Sequence, residues 1–275
     1  MHADKMTVDF SKSPVSWHNE NPVAAYFLNA LSLTIPAGEA VFMSSLDQAA
    51  KSSNSKNLKR DVKVFIKQES NHSKNHIDYN KWLAKNYGFA PGFKKLVNRS
   101  LKVFILHGDK HRLACTVALE FLTYVFSRII LQNRILEGAD EQMNRFWTWH
   151  SVEEIEHKSI AVRAFDELDG SYLRRLFALA AVIPALSSLL VVGMFQFMKE
   201  DRLLNARIAR ESWRFFVTRE KFLIKMFGYL CLYFIPFFRP EHLSDEGIEP
   251  DEALKEEIIA GPKKAVKKDR LRLVS

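Results

Sequence analysis

A chain of 275 residues with 47% hydrophobic content can fill the core of one large domain, or of one domain with an appendage, and this excludes global disorder. Its net charge of +8 would suit a nucleic-acid partner, but much of the excess lies in the last dozen residues (Lys263, Lys264, Lys267, Lys268, Arg270 and Arg272), and no RNA- or DNA-binding motif accompanies it. Nucleic acid is therefore set aside, and an anionic lipid surface suits the charge better.

Glycine and proline are few, and apolar positions recur mostly at helical spacing, which makes the expected class all-α. Pro22 opens a first helix after the polar stretch 17–21, and Pro36 opens or kinks the segment that carries Glu39. After a polar break at 52–57, a long helical pattern runs from Leu58 to Tyr87 and stops near Gly88 and Pro91. Residues 92–107 read as a shorter helix or crossover piece. A third long helix covers Lys110 to Leu136 before Gly138, and a fourth runs from Asp140 to Leu168 before Gly170. Residues 1–170 thus form the expected bundle.

The composition changes after residue 170. Leu176 to Met198 is 23 residues without a charge, between Arg174 and Arg175 on one side and Lys199 to Arg202 on the other. That length suffices to span a bilayer, whereas the apolar stretch Met226–Phe238 is too short and contains Pro236. Residues 171–240 are therefore read as an apolar helical region, either in contact with a membrane or packed as a bundle cap or homodimer contact. Residues 241–275 read as a loose charged tail. Cys115 and Cys231 form no paired framework, and the opening residues lack the profile of a secretory signal. The expectation is cytoplasmic residence, with the inner face of the membrane as the place of any lipid contact.

Six residues stand out by spacing. The second helix carries Glu69 and His72, and the fourth carries Glu154 and His157, each pair as Glu-x-x-His. Positions i and i+3 lie about 60° apart on a helix and one turn along, so both side chains can reach one ion. The first and third helices each offer one glutamate inside an apolar run, Glu39 and Glu120. The order Glu, Glu-x-x-His, Glu, Glu-x-x-His is the ligand set of ferritin-like four-helix bundles with a di-metal carboxylate site. Carboxylates bridge and neutralise two hard cations, and one imidazole per metal adds a neutral donor. Glu39 and Glu69 are thirty positions apart, Glu120 and Glu154 thirty-four, and forty-eight positions from His72 to Glu120 leave room for a crossover.

His150, four residues before Glu154, falls on the same face and is taken as a seventh ligand. His76, four after His72, is expected to orient a ligand or to bind directly. Glu153 and Glu156 are expected to point away, as solvated or outer groups. Trp147 and Trp149 are expected in the aromatic core.

The stretch 146–158, with its two tryptophans, His150, Glu153, Glu154, Glu156 and His157, resembles a bacterial family labelled predicted metal-dependent hydrolases. So do Ala164, Phe165 and Asp166, the segments 65–76 and 29–39, and the run from Phe238 to His242. The likeness covers most of residues 20–240 and implies a metal-dependent enzyme. With His150 included, the ligand pattern is also similar to that of arylamine N-oxygenases, for the ligands alone.

The favoured expectation is a di-iron enzyme, with manganese or zinc as alternative metals, oxidising a lipophilic small molecule with dioxygen and an external electron donor. Glu39, Glu69 and His72 would serve mainly one ion, and Glu120, Glu154 and His157 the other, with two glutamates bridging. The alternatives are two-metal hydrolysis of an ester or phosphate and non-enzymatic iron binding.

Overall fold

The computed structural model describes residues 6–87, 93, 95–97, 99–100, 108–248, 255–256 and 258–259, and the regular structure among them is entirely helical. A short turn at Phe10–Lys12 precedes α1 (Pro22–Ser52), α2 (Lys56–Tyr87), α3 (Asp109–Gln132), α4 (Glu141–His157), α5 (Ile160–Leu168), α6 (Tyr172–Glu200), α7 (Ala206–Trp213) and α8 (Phe222–Tyr233). Local chemistry places the starts. Asn21 caps α1 by accepting the Ala24 amide, with Pro22 in the first turn, and Asp140 caps α4 by accepting the amide of Met143.

α1 packs along α2, α3 along α4, and α1 along α3, while α2 meets both α4 and α5. The four-helix arrangement is therefore α1, α2, α4–α5 and α3 in cyclic order. α6 lies on the outside, against α1 and α3. Gly193 permits that approach, since a Cβ there would stand 2.8 Å from the Ala30 Cβ. One apolar core runs continuously from Met6 to Phe238.

Several boundaries differ from those read in the sequence. α1 continues through Pro36, which neither opens nor ends it. α3 stops at Gln132 rather than Leu136, because Arg134 takes a left-handed torsion (φ 50°). The apolar pattern misleads there, since Ile135 and Leu136 stay buried after the helix has ended. The fourth helix is interrupted after His157, although Lys158 and Ser159 keep right-handed helical torsions, so the chain goes on in the same direction as α5. The apolar stretch 176–198 sits within the longer α6. Most of the 92–107 segment lies outside the described residues; Phe93 and Val97 pack against Leu189 of α6.

The tail is not loose at its beginning. Asp245 accepts from Arg128 Nη1 at 2.6 Å and pairs with Lys158, and Tyr124 donates to it at 2.9 Å. Arg145 donates to the carbonyls of Ile258 and Ile259. Residues 260–275 lie outside the described residues. Asp245 is half-buried between two cations, so Asp245→Ala leaves Arg128 without its counter-charge. The expected result is a loss of about 3 kcal/mol in unfolding free energy, read by urea denaturation. An unchanged midpoint would show that the Asp245 pairs contribute nothing to the fold.

Candidate metal centre

α1 supplies Glu39, α2 supplies Glu69 and His72, α3 supplies Glu120, and α4 supplies His150, Glu154 and His157. All seven side chains point into the bundle and none is more than 3% exposed. Helical spacing accounts for this. His150, Glu154 and His157 form an i, i+4, i+7 row on α4, and Glu69 and His72 form an i, i+3 pair on α2.

The donors assemble in two groups that share one residue. Glu39, His72, His150 and Glu154 each place a ligand atom within 4.8 Å of the others, and Glu69, Glu154 and His157 do the same. His72 Nδ1 faces three carboxylates, at 3.7 Å from Glu39, 3.7 Å from Glu69 and 3.6 Å from Glu154. His157 Nδ1 is 2.7 Å from Glu69 Oε1. The division expected from the sequence, Glu39, Glu69 and His72 against Glu120, Glu154 and His157 with two glutamates bridging, is compatible with these distances, which draw Glu69 and Glu154 toward both groups. His72 and His150 gather with Glu39 and Glu154, while Glu69 gathers with His157. The reason is geometric: α2 and α4 face each other, so each Glu-x-x-His pair straddles the space between the groups. Glu120 belongs to neither tight group, but it is buried beside them and its carboxyl feels the charges of Glu154 and Glu69.

Each of the three histidines has its second ring nitrogen against another polar group. His72 Nε2 lies 2.8 Å from Glu153 Oε2. His157 Nε2 lies 3.2 Å from Gln68 Oε1, and His150 Nδ1 lies 3.3 Å from His76 Nε2. His76 is thus an outer group behind His150 and joins neither cluster. Glu153, expected to point away, is buried because His72 reaches across from α2 to meet it, and its other oxygen accepts from Trp149 Nε1 at 3.1 Å. Trp149 also stands edge-on to His72, with ring centres 4.7 Å apart. Glu156 alone fits the outer expectation, pairing with Lys255 at 2.9 Å. Gln68 carried no signal beyond its place next to Glu69.

The chain behind His150 has a fixed direction. Ser32 Oγ donates to Asn80 Oδ1 at 2.8 Å, so it must accept from His76 Nδ1–H, also at 2.8 Å. His76 Nε2 then carries a lone pair and accepts from His150 Nδ1–H. That leaves His150 Nε2 bare, at 3.6 Å from Glu154 Oε1.

Burial raises the Glu39, Glu69 and Glu120 carboxyls well above the ordinary range, with neighbouring carboxylates adding to the effect. Glu154 is raised to about 8, first by burial and then by Glu69. Burial lowers His72, His76, His150 and His157, which are neutral. Among the described residues, Glu69 Oε2, both Glu120 oxygens, Glu39 Oε1 and Glu154 Oε2 find no hydrogen-bond donor. Ser73 satisfies the other Glu39 oxygen at 2.5 Å. A buried acceptor with no donor is costly. Acceptors converging on bare imidazole nitrogens are what a cation requires, so this donor set fits metal ions.

A cavity of about 50 Å³ reaches the first group between α1, α3, α4 and α6. Glu39, His150 and Glu154 form its floor, and Leu31, Ile35, Phe42, Leu119, Leu186 and Leu189 are among its walls.

A family model described as predicted metal-dependent hydrolase matches residues 2–244. No curated protein and no solved structure matches the chain.

The electrostatics give a pH signature. Carboxyls raised from 4.5 hold protons in the folded state that the unfolded chain has released, so stability falls as pH rises between 4.5 and the raised values. Histidines lowered from 6.5 act oppositely, but only below 6.5. From pH 6.5 to about 8 the carboxyl effect acts alone. The metal-free protein is therefore expected to lose melting temperature across this window, and divalent metal to reverse the trend because it binds the deprotonated groups. A metal-free melting temperature that rises there would contradict the assignment.

Proposed function

The chain belongs to the family of predicted metal-dependent hydrolases, and we propose that its centre holds two metal ions, iron in the cell, for the dioxygen-dependent oxidation of a lipophilic small molecule. The observation that carries this reading is the pair of buried donor groups joined at Glu154, in which each histidine has its far nitrogen engaged. Glu39, His72 and His150 would hold one ion, and Glu120 and His157 the other. Glu69 and Glu154, each near histidines of both groups, would bridge. Two iron ions bound here would supply reductive activation of dioxygen, with electrons from a separate donor.

The protein's own residues set the rest. Four carboxylates offset the charge of two divalent ions, so the loaded site is close to neutral and has little attraction for an anionic phosphate. The described cavity walls are mostly hydrocarbon. The cavity's two described threonines have acceptors, Thr34 donating to the Leu31 carbonyl at 2.8 Å and Thr123 having both the Glu120 carbonyl, at 3.1 Å, and the Glu154 carboxyl within reach. Neither Lys nor Arg is among the described lining residues. A hydrolytic site needs donors aimed at the developing oxyanion, and the described walls offer no uncommitted one. An apolar substrate presenting a C–H or N–H bond fits it better.

The second reading is two-metal hydrolysis of an ester, favoured by the family's description. Metal analysis and oxygen uptake separate the two. Protein purified without chelator is expected to carry about two irons per chain and to consume dioxygen on reduction. Glu154→Ala with His157→Ala should abolish both. Zinc or manganese with ester turnover in the absence of dioxygen would establish hydrolysis, and no bound metal at all would defeat the metal-centre reading. Glu153→Gln, which removes the charge behind His72, is expected to lower metal affinity about 10- to 100-fold in competition with a chelator dye.

A further inference from the structure

The outward side of α6 is unlike that of an ordinary surface helix. Leu173, Phe177, Ala180, Pro184, Val191 and Phe195 are exposed at helical spacing, and between Leu173 and Phe195 the exposed residues include no charge. α8 repeats the pattern with Leu223, Ile224, Phe227 and Phe234, and Phe237 just beyond it is 87% exposed. The two stripes belong to one surface. Arg175 of α6 donates to the carbonyls of Tyr233 and Ile235 at the end of α8, while Val191 and Met194 share a cavity with Phe222 and Leu223 at its start. A contiguous apolar face of this kind calls for a partner.

We propose that this α6–α8 face docks into one leaflet of an anionic lipid bilayer. Charge complementarity selects the occupant. Lys199, Arg202, Arg207, Arg210 and Lys221 are exposed around the end where α6 finishes and α8 begins, and none forms an ion pair with a described residue. Basic residues beside an apolar face bind the headgroups of acidic lipids. A chain of net charge +8 meets such a surface more favourably than it meets a second copy of itself. Among the described residues three helices, α1, α3 and α6, are long and apolar enough to cross a membrane by length and composition. α6 nevertheless docks and does not span, because its inner side, from Ala178 to Phe197, is built into the core, and α3, which it packs against, is buried along 94% of its apolar stretch and leaves no side for lipid. α8, at 12 residues, is too short to cross.

The placement deepens the proposed function and rests on it in this one respect. Leu186 lines both the cavity over the donor groups and a second, apolar cavity of about 160 Å³ beneath α6 and α8. The docked face therefore lies directly above the way to the site, which suits a substrate dissolved in lipid.

The test is sedimentation of the metal-loaded full chain with vesicles of phosphatidylcholine containing phosphatidylglycerol, against vesicles of phosphatidylcholine alone. Wild-type protein is expected to pellet with the acidic vesicles and much less with the neutral ones. Phe177→Glu with Phe227→Glu, both exposed and away from the donors, should weaken binding at least tenfold with metal content and circular dichroism unchanged. Equal pelleting of variant and wild type, or no pelleting of either, would overturn the proposal. So would a concentration-dependent dimer abolished by the same variant without vesicle binding, which would identify a second copy as the occupant. Metal content is read separately, so failure of the metal centre and failure of docking are distinguishable.

Discussion

Four carboxyl groups buried among three imidazoles in an apolar bundle are the constraint on which the other features depend. Outside water, a carboxylate must find donors or a cation, or else keep its proton. Ser73 gives Glu39 one donor, and most of the remaining oxygens have none among the described residues. Protons or metals must therefore enter with the fold, and the choice between them couples folding to pH and to metal supply. A centre of this kind cannot be separated from the stability of the helices that carry it.

That coupling explains the outer groups. Glu153, Gln68 and His76 each stand against one nitrogen of a donor histidine, which leaves the other nitrogen to face the carboxylates. The longest such chain runs from His150 through His76 and Ser32 to Asn80, tying α4 to α2 and α1. Its direction follows from the single hydroxyl proton of Ser32.

The donors were legible in the sequence because helical periodicity is local. Two Glu-x-x-His pairs, two lone glutamates in apolar runs and His150 at i−4 can be recognised without knowing which helices touch. What stayed hidden depends on contacts between helices. The approach of His72 to Glu154 as well as to Glu69, and of His157 to Glu69, is set by the facing of α2 and α4, and Glu153 is buried only because His72 arrives from another helix. The early end of α3 escaped for a related reason: Ile135 and Leu136 keep the apolar pattern while the backbone turns at Arg134. The anchoring of the tail by Asp245 had no sequence signal, since its partners Arg128 and Lys158 are about a hundred positions away.

α6 illustrates how one helix can serve two apolar environments. Its inner side, with Leu186 and Leu189, roofs the cavity above Glu39, His150 and Glu154. Its outer side bears Phe177 and Phe195. A soluble bundle needs only the first, and would carry charges on the second at no cost to the core. The four-helix arrangement is complete with α1 to α5, so α6 and α8 add something the donor groups do not require. They shield the cavity from water on one side and leave hydrocarbon exposed on the other. Those two properties follow together when the molecule that enters the cavity comes from an apolar phase.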